Sequence, residues 1–139
     1  MQRIVRPIAI AIIEREDELL VERGLDPVAQ KVYYRPLGGG IEFGEMAEET
    51  IVRELDEELG LAIERLNPLT VLQNHFVYAG EERHEIIFVF KAEFTDPEVY
   101  LHDTYKRKDN LQSEVTWVKK DEFRLNRLIL YPNGLSDFI

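Results

Sequence analysis

Gly38-Gly39-Gly40-Ile41-Glu42-Phe43-Gly44-Glu45-Met46-Ala47-Glu48-Glu49-Thr50-Ile51-Val52-Arg53-Glu54-Leu55-Asp56-Glu57-Glu58-Leu59-Gly60-Leu61 is the stretch on which the reading of the whole chain turns. Its second half has the period of a helix. Ala47, Ile51, Val52, Leu55 and Leu59 recur at spacings of four, one, three and four, which makes one apolar stripe over Met46 to Leu59. Gly60 follows the last apolar residue and suits the left-handed position that ends helices. Gly38, Gly39 and Gly40, directly ahead, read as a turn that another group can approach closely.

The acids crowd here. Glu42, Glu45, Glu48, Glu49, Glu54, Asp56, Glu57 and Glu58 face a single base, Arg53, so this stretch carries −7 of the chain's net −10. At about 100° per residue, Glu54, Glu57 and Glu58 fall within an arc of about 100°. A like-charge pair four apart, such as Glu54 and Glu58, costs about 0.2–0.5 kcal/mol in an isolated helix. A solvated acidic face is the plain structural reading of such a helix. The glycine turn argues against it, because backbone carbonyls there can join carboxylates around a cation. An all-oxygen set suits hard ions such as magnesium or manganese. Such an ion brings a phosphate oxygen and an activated water together.

These residues resemble the Nudix box. Gly39, five residues, Glu45, seven residues, Arg53-Glu54-Leu55, one residue, Glu57-Glu58, one residue and Gly60-Leu61 match it at every defined position. More weakly, the resemblance covers most of the chain: two strands ahead of the box, a hairpin after it, and a tryptophan-bearing strand near the end. It implies an α/β fold, the Nudix fold, with a mixed β-sheet sandwiched between α-helices. Residues 1–139 would form one domain, with the box at 39–61 as loop–helix–loop. The implied activity is hydrolysis by water, with Mg²⁺ or Mn²⁺, of a pyrophosphate bond in a nucleoside diphosphate linked to another group. Nucleoside triphosphates, dinucleoside polyphosphates, ADP-ribose and nucleotide sugars all meet that description. The alternative is a Nudix-fold module that senses a nucleotide without cleaving it; such modules usually have eroded boxes.

The resemblance also implies roles. Glu57 and Glu58 correspond to the main metal-binding carboxylates, and Glu54 to a third that binds metal or accepts the water's proton. Gly38 or Gly39 would offer a carbonyl, because Pro36 stands one place earlier than in the usual proline–glycine–glycine entry. Glu45 and Arg53 resemble the supporting pair in which the arginine orients the glutamates. Arg23, at a strand end, matches a phosphate-binding arginine, and Arg35 beside the glycines is within reach of phosphate. Glu85, in the pair His84-Glu85, would add a ligand or base. Asp109 and Glu114 are candidates for one more acid before the last strand.

The remaining features are plainer. Lys106-Arg107-Lys108, the only basic run, reads first as solvated side chains and second as a contact for a distal phosphate. Tyr33, Tyr34, Phe43, Phe76 and Tyr78 are able to stack on a base, although aromatics in strands mostly pack cores. Tyr78 also lies where dinucleoside polyphosphate hydrolases of the family carry a tyrosine. Trp117 is expected in the core, and His75 and His102 have no partner pattern.

With 139 residues, 45% of them apolar, the chain suits one globular domain. Its negative charge disfavours an extended nucleic-acid surface while leaving room for a small phosphorylated ligand. Without cysteine, disulfides and thiol chemistry are excluded, and no Asp-x-Asp-x-Asp-Gly calcium loop occurs. The run Ile8–Ile13 is too short to span a membrane, so a cytoplasmic protein is expected. The resemblance allows a homodimer. Strands are predicted at Ile4–Ile13, Leu19–Arg23, Lys31–Tyr34 and Val115–Val118. A hairpin is predicted of Leu69–Tyr78 and Glu85–Phe94, and a short helix at Asp121–Arg127 capped by Asp121. Gly24–Gln30 reads as a loop, Asp96–Gln112 as a long polar segment, and Tyr131–Ile139 as a turn with one helical turn.

Overall fold

The computed structural model describes residues 3–110 and 113–139. The chain runs β1 (Val5–Ile12), β2 (Glu14–Arg15), β3 (Glu18–Asp26), β4 (Lys31–Arg35) and β5 (Leu37–Gly40) into helix α1 (Ala47–Leu59). There follow β6 (Ile63–Tyr78), β7 (Glu81–Phe94), a 3-10 turn at Pro97–Leu101, β8 (Thr104–Lys106), β9 (Glu114–Lys119), α2 (Lys120–Arg124) and a 3-10 turn at Leu135–Phe138.

The strands make two hydrogen-bonded sheets. One has the order β5-β1-β7-β6; the other has the order β2-β3-β9-β8, with β4 also paired to β3. In the first sheet β1 pairs with β7 in parallel and with β5 antiparallel, so this sheet is mixed. From Ile8 to Ile12 β1 is apolar on both faces, and both are covered there. Ala9 and Ala11 pack in a cluster with Ile51 and Leu55 of α1 and with Trp117, whereas Ile10 and Ile12 join Phe123 of α2, Leu130 and Leu135. Alternation along one strand thus feeds two cores, with a helix outside each. This is the expected mixed sheet between helices.

Several boundaries differ from those predicted, for local reasons. The glycine run is a strand, not a turn, because Ala9 and Ile10 offer it a pairing partner. β3 continues through Arg23 to Asp26, shortening the loop after it. β6 begins six residues early and passes Pro68 with register shifts on either side. Pro68 is tolerated because β6 is an edge strand, where a missing N–H need break no ladder bond. The polar segment after Asp96 contains the first 3-10 turn and β8. α2 starts straight out of β9 with Lys119 at its N-cap, so Asp121 lies in its first turn and does not cap it.

The β6–β7 hairpin turns in two residues, Ala79 and Gly80, both with positive φ, at 52° and 80°. That is the requirement of the tightest turns matching strand twist. Asp26, at the end of β3, secures the turn. Its carboxylate accepts the N–H groups of Val28 at 3.0 Å, Ala29 at 3.1 Å and Ala79 at 3.3 Å. These bonds, led by that of Ala29, hold the Asp26 carboxyl below its ordinary value. A carboxylate depressed in the folded state stabilises above its unfolded pKa, and the contribution disappears as pH falls through the folded value. Asp26→Ala is therefore expected to melt below wild type at pH 7, with the gap closing at acid pH. A gap independent of pH in thermal melts would contradict this role.

Candidate active site

Arg53 organises the box. Its Nε donates to Glu45 Oε2 at 2.7 Å and its Nη2 to Glu45 Oε1 at 3.1 Å, a bidentate fork. Nη1 reaches Glu54 Oε1 at 3.1 Å and Glu57 Oε2 at 3.2 Å, and Nη2 also donates to the Gly40 carbonyl at 3.1 Å. One guanidinium therefore ties the start of the box, the acidic face of α1 and the glycine strand. The Arg53 hydrogen bonds, aided by the Thr50 hydroxyl, push the Glu45 carboxyl down to about 2.

The glycines make room for this arrangement. A Cβ at Gly39 would lie 2.4 Å from Glu54 Oε1, and one at Gly38 would lie 2.0 Å from the Ala9 carbonyl oxygen. Gly39 thus lets the Glu54 carboxylate rest against backbone, while Gly38 lets β5 pair closely with β1. Gly60, at φ 69°, ends α1 and donates to Asp56 O at 2.8 Å, as predicted.

Glu58 is the buried member of the acidic row, 3% exposed, and its Oε2 has no hydrogen-bond partner among the described residues. Burial, reinforced by the neighbouring Glu54 carboxylate and opposed by Arg107, pushes the Glu58 carboxyl up. Glu57, by contrast, is half exposed. Among the described residues, no three acid or imidazole groups already stand close enough together to ligate one ion. Arg53 and Arg107 engage the carboxylates instead.

Other predicted residues are placed as follows. Arg35 faces the site from β4 and lies 3.5 Å from Glu22. Glu85 is on β7, paired with Arg6 at 3.6 Å. Arg23 is not brought in: it is exposed, and strand alternation turns it to the face opposite Glu22. Asp109 grips Arg107 at 2.8 and 2.7 Å, whereas Glu114 is exposed at the start of β9, opposite Lys106. Of the basic run, Lys106 and Lys108 are exposed but Arg107 is packed in, with its side chain 16% exposed.

Glu22 and Arg6 were not anticipated. Glu22 looks like the polar end of the run Leu19-Leu20-Val21, yet it is 7% exposed and turned to the same side as Leu20, towards α1. Its only sequence signal is that side: a charge two residues from a core leucine.

A cavity of about 440 Å³ runs from Gly38–Gly40, Arg6, Arg35 and Glu85 to Tyr33, Phe76 and Tyr78. Tyr33 meets Tyr78 edge to face at 5.9 Å, and Arg83 lies over the Tyr78 ring at 5.3 Å. Burial and the hydrogen bond to Tyr78 push the Tyr33 phenol up to about 12, so it stays a neutral donor. Tyr34 packs instead with Phe123, Phe43 is fully exposed, and Trp117 is in the core as expected.

Residues 5–134 match the NUDIX domain, and the chain belongs to the Nudix hydrolase family, whose members generally use divalent metals. Over 97 residues it is 30% identical to the NAD-capped RNA hydrolase NudC of Pseudomonas aeruginosa, a match taking in 67% of this chain and 31% of that protein. The chain thus spans about a third of the length of the curated relative. Its fold is like that of a MutT NUDIX hydrolase from Burkholderia pseudomallei, with a TM-score of 0.65, 24% identity and 86% of each chain covered. A NUDIX hydrolase from Nitrosomonas europaea superposes with a TM-score of 0.63 at 20% identity, over 94% of this chain and 82% of that one. Among the described residues, no helix is long and apolar enough to cross a membrane.

Proposed function

We propose that this chain hydrolyses a pyrophosphate bond in a nucleoside-diphosphate-linked substrate, with Mg²⁺ or Mn²⁺ held by Glu54, Glu57, Glu58 and the Gly39 carbonyl. The observation that carries the reading is the buried, unpartnered Oε2 of Glu58 beside Glu54, whose carboxylate lies against Gly39. An orphaned carboxylate oxygen among carboxylate and carbonyl donors fits a hard divalent cation. When bound, such a cation polarises a phosphate oxygen and acidifies water.

The chain's own groups divide the remaining work. Arg53 and Glu45 keep the acidic face of α1 in register with the glycine strand. Glu54, nearest the glycine backbone, is placed either to ligate or to take the proton of the attacking water. Arg35 and Arg6 at the cavity mouth offset charge on the diphosphate and on the departing phosphate. Tyr33, Phe76 and Tyr78 supply apolar faces for the organic part of the substrate, and Glu85 faces the same space from β7. We read residues 1–139 as one catalytic domain acting on a small cytoplasmic nucleotide derivative.

The test is an activity screen with Mg²⁺ across nucleoside triphosphates, dinucleoside polyphosphates, ADP-ribose, nucleotide sugars and NAD-capped RNA, reading phosphate-bearing products. Turnover of at least one class is expected, abolished by EDTA and restored by added Mn²⁺. Binding of these nucleotides without any product would favour the sensing module.

A further inference from the structure

Arg107 touches three carboxylates. Its Nη1 lies 2.6 Å from Glu22 Oε2, its Nη2 lies 3.7 Å from Glu58 Oε1, and its Nε and Nη2 form the fork on Asp109. Two of the three acids are buried, Glu22 at 7% and Glu58 at 3% exposure. Buried carboxylates without a counter-charge are costly, so this guanidinium is an integral part of the fold. The backbone adds a second grip on the same residue, since the Lys108 N–H donates to the Glu58 carbonyl at 2.7 Å. The segment after β8 is therefore docked on the C-terminal turn of α1 through Glu58 twice, once by side chain and once by main chain.

We infer that Arg107 is a resident counter-cation of the acidic site, which holds Glu58 and Glu22 while no metal is bound and must yield Glu58 to an incoming divalent ion. The inference rests on the metal-site reading above. A guanidinium beside Oε1 and a divalent cation at Oε2 would draw on the charge of one carboxylate, so each weakens the other's hold by the same factor. Arg107 is thus a positioning residue: it offsets part of the charge on Glu58 and Glu22, and it sets how much metal is needed to load the site. Glu22, shared between Arg107 and Arg35, keeps the released arm within the site, close to the cavity mouth where phosphate charge is expected.

The test measures metal binding without turnover. Mn²⁺ is titrated into the full chain and the free ion is followed by electron paramagnetic resonance. Arg107→Ala is compared with Lys106→Ala, which removes the same charge from an exposed neighbour. Arg107→Ala is expected to bind Mn²⁺ about tenfold tighter than wild type, and to melt lower without metal. Lys106→Ala should stay near wild type in both. Should Arg107→Ala fail to fold, Arg107→Lys carries the same test with a smaller gain, because an ammonium cannot span three carboxylates. Affinity in the Arg107 variant equal to or weaker than that of Lys106→Ala, with wild type binding Mn²⁺, overturns the inference and leaves the metal site standing. No Mn²⁺ binding by any of the proteins overturns both.

Discussion

Glu58→Gln and Glu57→Gln are each expected to lower turnover by roughly two to four orders of magnitude while leaving the chain folded. The two changes should differ in what they do to stability. Glu57 is half exposed and meets Arg53 at 3.2 Å, so its replacement removes one surface pair of small worth. Glu58 is buried beside Glu54, and an amide of the same shape removes a charge that burial disfavours. Metal-free Glu58→Gln should consequently melt at or above the wild-type temperature even as it loses activity. Near-normal turnover in both variants, by product assay with Mg²⁺, would remove the proposed mechanism.

Two neighbouring glycines should separate folding from chemistry. Alanine at 38 puts a methyl 2.0 Å from a backbone oxygen of Ala9, at a φ of 153° that side chains rarely adopt. Neither obstacle can move aside, so a loss of about 3 kcal/mol or more is expected. Alanine at 39 meets only the far end of the Glu54 side chain, 2.4 Å away, and that carboxylate can swing clear. Gly39→Ala should therefore keep nearly all its thermal stability and lose about a hundredfold in kcat, because Glu54 no longer lies against the backbone. Melting curves beside kinetics would decide. A Gly39→Ala protein that is stable and fully active would show that the position of Glu54 is immaterial to the reaction.

What the sequence disclosed about the molecule followed the reach of each signal. α1 was legible because its apolar stripe, acidic face and terminal glycine all lie within one local segment. β1 was legible because a continuous β-branched run has few other homes than a doubly covered strand. Glu22 was hidden, since a glutamate closing an apolar run resembles a solvated strand end. Only the register with Arg35 on one side and Val115 on the other makes it central. Arg107 was hidden for a related reason: its partners Glu22 and Glu58 lie far away in the chain, and no spacing in a polar segment announces such docking. At Arg23 the strand was legible but not which of two adjacent residues turns inwards: Glu22 is buried and Arg23 exposed.

The fastening of the hairpin tip by Asp26 has a consequence for ligand choice. The bend of one sheet is clasped by the end of the other, and Tyr33 touches Tyr78 across the gap, so the two walls are tied together at two points. Parting them would break both contacts. If the cavity takes the organic part of the substrate, as proposed above, exchange of Tyr33, Phe76 and Tyr78 along its lining is the route by which ligand preference would change.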